Sequence, residues 1–404
     1  MPRALRRLLL VITVALSLPC ALLAARIPTP KEDTAAMPAP RPLVFKHRVI
    51  DPEPPHDPHI KIVGDIDGDG QTDILAASSD GGPLVWYQYP DWRRRVIAPS
   101  GTWSCFGQAL DMDGDGDCDI LISEWSRANR IEWYENPLPH GDPTKDPWPL
   151  HIVGEPRAHD LHAADIDGDG QLELVSRGQR DLWSGPRTSE ERDGHEIFVF
   201  KQTGPGQWSR AEIRTPTGEG LALADLDGDG RLEAVIAGRW YDSPRDLLND
   251  PWPEHVFCEW WPDAAVVAAD INGDGRPDVV LSGSETTHRL SWFETPSDPR
   301  AGPWKEHVID PEVNYVHAIA VADMDDDGRP DVVAAEMHQS RTKRVLVYLN
   351  DGDGKWTRQV IAETGSHNIC VADIGGDGRM DIIGANWSGP FQPLELWEQV
   401  PGDR

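Results

Sequence analysis

Basic residues are scarce in this chain. Its 404 residues hold 38 Lys and Arg against 68 Asp and Glu, for a net charge of -30. A surface that acidic disfavours nucleic acid and anionic lipid, so neither is expected as a partner. Cysteine is scarcer still, at five. Cys118 lies in an acidic loop, and Cys105 lies one strand earlier, roughly 20 Å away at ~3.3 Å per residue. Cys105, Cys118, Cys258 and Cys370 are therefore expected as free thiols. GxSxG, a phosphate loop, CxxC and HExxH are all absent, so hydrolase and nucleotide readings lack support. The N-terminal apolar run, in "MPRALRRLLLVITVALSLPCALLAA", has a basic start and a small-residue end. It reads as a secretory signal over residues 1–25, with an apolar core too short for a membrane span. Pro19 before Cys20 argues against a lipid anchor there. Residues 26–42 read as a Pro-rich linker. The expected location is secreted, periplasmic or cell-surface.

What the chain has in abundance is one acidic pattern. "DIDGDGQTD" begins at Asp65, and the same nine-residue frame begins again at Asp111, Asp165, Asp225, Asp270, Asp323 and Asp373. Carboxylates this close repel unless a cation lies between them. Oxygen ligands at positions 1, 3 and 5, a glycine at 6 and an acid at 9 describe a calcium loop. The expected ligands are Asp65, Asp67, Asp69 and Asp73 in loop one, and Asp111, Asp113, Asp115 and Asp119 in loop two. Loop three offers Asp165, Asp167, Asp169 and Glu173; loop four offers Asp225, Asp227, Asp229 and Glu233. Asp270, Asn272, Asp274 and Asp278 follow in loop five, and Asp323, Asp325, Asp327 and Asp331 in loop six. Loop seven has only Asp373, Asp377 and Asp381, with Gly375 at position 3, and is expected to bind most weakly.

The spacing of about 50 residues marks a repeat array or propeller. Each unit also holds a strand like "LSWFETP" and an outer strand like "WKEHVI". Alternating apolar residues bounded by Gly, Pro and Asp mark these as β-strands, and four strands per unit make a propeller blade. The seventh unit stops after "LELWEQV", while an orphan outer strand, "FKHRVI", precedes the first. The predicted fold is all-β: a single closed seven-bladed propeller over residues 43–401, its last blade completed by the N-terminal strand. These loops and strands resemble the FG-GAP (VCBS-type) repeat family, which implies a calcium-loaded propeller. That family spans adhesion proteins, lectin-like modules and polysaccharide-active enzymes.

Topology puts the start of each innermost strand on the face opposite the loops. Six residues before each loop stand His59, Cys105, His159, Glu219, Ala264, His317 and His367. Thirteen residues after each loop's first acid stand Ser78, Glu124, Gly178, Gly238, Gly283, Glu336 and Asn386, at the same end. Imidazole and carboxylate together suit zinc or a similar divalent metal. The candidate catalytic or metal-holding set is His317, Glu336, His338, His367, His159 and Glu124, weighed against ordinary pocket lining. His47, His151, His255 and His307 repeat in the outer strands and read as structural. Of 17 Trp, seven lie outside the repeated strands: Trp103, Trp125, Trp183, Trp240, Trp260, Trp261 and Trp387. With Tyr241 and Tyr315 they are expected to rim the same face, and Trp103, Trp240, Trp260, Trp261, Tyr315 and Trp387 are the candidates for stacking on sugar rings. Arg177 and Arg180, at the start of a long polar insertion, are weaker candidates for an anionic sugar. "WYENP", "AEMH" and "GSHN" also resemble the propeller of aldos-2-ulose dehydratases, which implies metal-assisted loss of water from a keto-sugar. Two functions follow as expectations. One is a carbohydrate-active lyase or dehydratase; the other is a non-catalytic propeller that binds glycan or protein.

Overall fold

The computed structural model describes residues 42–125, 129–156, 158–178, 195–204 and 206–402. The expected signal peptide, nearly all of the linker, Arg180, Trp183 and most of the blade-three insertion lie outside these. Every regular element among the described residues is a strand, and no helix there is long and apolar enough to cross a membrane. The strands form seven antiparallel four-stranded sheets. Blade six is representative: Val316–Ala322, Asp331–Glu336, Val345–Gly352 and Lys355–Ala362 follow one another outward in chain order.

Sequence pattern explains the depth of each strand. The second strands, such as Asp73–Ser78, Asp278–Gly283 and Asp331–Glu336, are near-continuous apolar runs buried along their whole length. Both faces of each sheet are covered by neighbouring blades, so such a strand has no solvent side to keep polar. The outer strands alternate instead, as in Leu150–Gly154. The core lies between blades. Ile60, Leu75 and Trp86 of the first pack with Ile120 and Ile122 of the second, and Ile74 and Val85 of the first pack with Ile383 and Leu396 of the last. The repeated outer histidines are structural. His307 stacks on Trp292 at 4.0 Å between ring centroids, His151 on Trp133 at 4.4 Å and His255 on Trp240 at 4.2 Å. Of the cysteines, Cys105, Cys258 and Cys370 are free thiols, as expected. Cys118 departs from that expectation: it is disulfide-bonded.

The N-terminal strand closes the ring. Val44–Asp51 lies antiparallel on Leu394–Val400, with His47 opposite Trp397 and Arg48 opposite Leu396. The last sheet therefore joins the two ends of the chain. His47 Nε2 meets Glu395 Oε1 at 2.7 Å, and Arg48 Nε donates to Glu398 Oε2 at 2.7 Å. Deleting residues 43–51 should expose a strand edge and drive aggregation or a large loss of melting temperature. Arg48→Ala removes only an exposed ion pair and should cost at most about 1 kcal/mol. A deletion that melts like the wild type would rule out closure by this strand.

Candidate functional site

Two kinds of site stand at opposite ends of the innermost strands. At one end are the acidic loops. In each, the ninth residue accepts the backbone N–H of the second: Ile66 to Asp73 at 3.2 Å, Ile166 to Glu173 at 2.9 Å, Met324 to Asp331 at 2.8 Å, and likewise in the other four. The first residue accepts N–H groups from positions 5 and 6, as Asp65 does from Asp69 and Gly70. The side chains of positions 1, 3 and 5 are left facing one another. The donor oxygens of Asp65, Asp67 and Asp69 lie within 4.8 Å of each other, as do those of Asp111, Asp113 and Asp115. Burial, and then like charges nearby, push Asp325 up to about 6. Asp67 Oδ1 of loop one and Asp325 Oδ1 of loop six are buried without a hydrogen-bond partner. Oxygens so placed fit a hard divalent cation.

At the other end, side chains from several blades meet on the axis. His317 stacks on His367 at 3.8 Å, His59 lies 4.6 Å from His367, and His159 lies 6.0 Å from His317. Cys105 Sγ is 3.0 Å from His159 Nε2. Glu219 Oε2 is 3.4 Å from His317 Nε2 and accepts from Ser284 Oγ at 3.1 Å. His59, Cys105, His159, Glu219, Ala264, His317 and His367 share one position in the repeat. What turns them inward is local backbone. The pairing of the first two strands slips between Pro58 and Ile60, Trp103 and Gly107, Ala158 and Asp160, and Val316 and Ala318. Each β-bulge re-aims the residue it contains, and those residues include His59, Cys105, His159 and His317. A cavity of about 160 Å³ opens beside Lys61, Cys105, His159, Glu219 and His317.

Charge is unevenly distributed there. Burial, and then the neighbouring histidines, hold His59 and His367 well below the usual imidazole range, so both are neutral. Burial opposes charge on His159 too, but Cys105, Asp160 and Glu219 outweigh it and raise the imidazole well above that range. The pocket therefore stabilises a cation at His159. Burial lowers the Lys61 amine to about 7, and its Nζ reaches the carbonyls of Pro58 and Ala385, each at 3.0 Å.

Comparison with known proteins agrees with this architecture. The FG-GAP-like repeat model matches residues 111–176, 270–334 and 323–384. The chain is a propeller of FG-GAP-like repeats. Cartilage acidic protein 1 of Xenopus tropicalis is 25% identical over 148 residues, covering 33% of this chain and 22% of that protein, so the match spans about a fifth of that relative. A chain of the mitotic checkpoint complex is 10% identical with a TM-score of 0.53, covering 94% of this chain and 98% of that one. A structure of an Agrocybe aegerita lectin that recognises non-reducing terminal N-acetylglucosamine is 16% identical with a TM-score of 0.49, covering 80% and 81%. Identities this low speak of the fold alone.

The FG-GAP-like propeller brings together only part of the predicted catalytic set. His159, His317 and His367 meet on the axis. His338 is half-buried at its edge, 5.5 Å from Trp387, with Nδ1 unpartnered. Glu336 is not in the pocket. It is fully buried against the Arg344 guanidinium and the hydroxyls of Ser340 and Thr342. Glu124 is likewise engaged away from the axis, by the Thr102 hydroxyl and the Asn129 N–H. The aromatic rim also contracts. Trp103 and Trp240 are 0% exposed: Trp103 Nε1 donates to Glu132, and Trp240 is the stacked core residue of blade four. Tyr241 is buried as well, and Tyr315 is half-buried. Trp260 is wedged between His288 and Phe293, while Trp261 is exposed. Trp387 packs against the axial histidines, 5.0 Å from His59 and 5.4 Å from His367, and Trp125 lies 5.8 Å from His59; neither lines the cavity. Arg177 is buried, donating to the carbonyls of Glu219 and Gly220. Sequence reasoning passed over Cys105 and Glu219, although both stand at the repeat position that singled out the histidines. It missed Glu285, whose carboxylate lies within 4.8 Å of Glu219 and His317 donor atoms.

Burial opposes charge on Glu336, but Arg344 and then Thr342 hold its carboxyl below the ordinary 4.5. A depressed carboxyl contributes stability that is complete above its unfolded value and is lost as pH falls through its folded one. Glu336→Gln should therefore destabilise the propeller at pH 7 by about 3 kcal/mol, the scale for breaking a buried pair. The gap from wild type should narrow as the pH is lowered below 4.5. Denaturant melts of both proteins across pH measure this.

Proposed function

We propose that this is a secreted, calcium-stabilised propeller that acts on a small carbohydrate at its axial pocket, as a metal-assisted lyase or dehydratase. One observation carries the reading. Three blades place the donor atoms of Cys105, His159 and His317 within 4.8 Å of one another, all buried. Thiolate and imidazole are ligands that suit zinc or a similar divalent ion, and Glu219 stands beside them. The pull toward positive charge at His159 has the sign such an ion requires. When bound, the metal would supply Lewis-acid polarisation of a carbonyl or hydroxyl oxygen.

The chain's own residues would do the rest. Asn368 Oδ1 lies 2.9 Å from His367 Nδ1. The amide Nδ2 of Asn368 donates to the Cys105 carbonyl, which leaves Oδ1 as the acceptor. His367 therefore carries its proton on Nδ1 and keeps a lone pair on Nε2. Held neutral, it suits a general base that takes a proton next to a carbonyl and returns it to the departing hydroxyl. His59, packed against it, serves the same electrostatic end. Trp387 and Trp125, packed beside His59 and His367, offer flat rings for a sugar to stack on outside the cavity. The small cavity favours a monosaccharide or a chain end over the interior of a polymer.

The loops carry the supporting role. Calcium that binds only the folded state would stabilise it by mass action. A calcium chelator should lower the melting temperature well beyond the effect of added salt. After mild chelation the protein should retain one tightly held transition metal per chain. His159→Ala and Cys105→Ala should lose that metal and any activity while keeping the calcium-dependent melt. A screen of keto-sugars and acidic polysaccharides for an ultraviolet-absorbing enone product reads the reaction. Absence of both metal and product would favour a glycan-binding propeller instead, to be tested with Trp261→Ala against glycan affinity.

A further inference from the structure

Loop three differs in that a single cation bridges three of its carboxylates. Lys201 Nζ lies 2.5 Å from Asp167 Oδ2, 2.8 Å from Asp169 Oδ2 and 3.0 Å from Glu173 Oε1. These are positions 3, 5 and 9 of the loop. An ammonium has three N–H donors, and Lys201 spends all three on them. The second oxygen of Glu173 accepts the Ile166 N–H, so that carboxylate is fully engaged.

The register shows that this arrangement is peculiar to blade three. Lys201 follows Phe200, which pairs with Leu174. The corresponding positions in the other blades hold Gln88, Glu135, Asp242, Glu294, Leu349 and Glu398. None of these is cationic. Other cations touch other loops less completely. Arg231, Arg276, Arg329 and Arg379 each reach back only to the position-5 acid of their own loop. Arg300 enters loop four from outside but meets only Asp227 among that loop's acids, so loop four's two cations each hold a single one of its acids. Among the described residues, Lys201 alone spans three ligand positions. Its length matters, because a short amide such as Gln88 reaches a single acid, Asp67.

We propose that loop three takes no calcium, and that the Lys201 ammonium is its permanent counter-ion. A divalent ion would have to evict a cation already hydrogen-bonded to three of the four acids it needs. Blade three would then keep its loop folded when calcium is withdrawn. The inference rests on the reading of the remaining loops as calcium sites.

The test is the number of calcium ions bound per full-length chain, measured by equilibrium dialysis, with melting followed in chelator. Lys201→Gln should bind one calcium more than the wild type. It should melt lower than the wild type in chelator and recover when calcium is restored. Asp167→Asn in the wild-type background should leave the calcium count unchanged, whereas Asp325→Asn should lower it by one. The proposal is overturned if Lys201→Gln binds no extra ion, or if Asp167→Asn lowers the wild-type count. Wild type binding none with one in Lys201→Gln would overturn only the reading of the other loops. None in either protein would overturn both.

Discussion

One hydrogen bond, made seven times, underlies the architecture. In every repeat the acid at the ninth loop position accepts the N–H of the second, at distances from 2.7 to 3.2 Å. That bond turns the innermost strand back on itself and starts the next. In five repeats the same carboxylate also takes an N–H from the end of the third strand, as Asp331 does from Asn350 and Asp381 from Gln399. The amide of that third-strand residue can then reach the blade before it. Asn350 Nδ2 donates to Ile271 O, and Gln399 Nε2 to Met324 O. Three strands and a neighbouring blade are thus tied to one buried acid. Its burial is uncomfortable: Asp331 is pushed up to about 8, chiefly by desolvation. The N–H groups of Asn350 and Met324 offset part of that cost, so the turn and the burial of the acid are two aspects of one arrangement.

The plan of the molecule was legible in its sequence because the plan repeats. A frame of Asp, Gly and Asp at fixed offsets located all seven loops, and the orphan "FKHRVI" located the closing strand. The axial residues were also legible by offset, since counting back from each loop gave the histidines that meet in the structure. What counting could not supply was direction. Side chains alternate across a strand, so a slip of one residue sends a side chain to the other face. Bulges at His59, Cys105, His159 and His317 re-aim those four side chains, and no residue type announces them. Glu336 shows the converse. It sits at the right end of its strand, but Arg344, eight residues on, returns to bury it. Trp240 misled for another reason. Blade four is the most abbreviated, its third strand only Arg239–Tyr241, and its core tryptophan passed for a loop residue.

Within the pocket, position and charge follow from the same symmetry. Seven blades offer one residue each at the same height, and the chain has filled those places unequally. Imidazoles occupy four, a thiol and a carboxylate one each, and the small Ala264 leaves room for the cavity. The neutral pair, His59 and His367, gathers on the side where Lys61 and the stacked rings discourage further positive charge. The acids gather around His159. The pocket is therefore polarised across the axis, with a neutral side and a cation-favouring side a few ångströms apart.

The closing strand sets an order of events. Val44–Asp51 precedes every other described strand and its partner Leu394–Val400 follows them all, so the pairing between Arg48 and Glu398 spans 350 residues. On a ribosome, successive blades can each form as their own four strands emerge, because their sheets follow chain order. The last blade cannot, since its outer strand has waited through the synthesis of the whole ring. Until release, blade one and blade seven present unpaired faces, with Ile74, Val85, Ile383 and Leu396 uncovered. Long-range pairing of this kind is slow to form, and exposed apolar faces and strand edges invite association during the wait. The nascent chain spends its riskiest interval at the end of synthesis, one strand short of a closed circle.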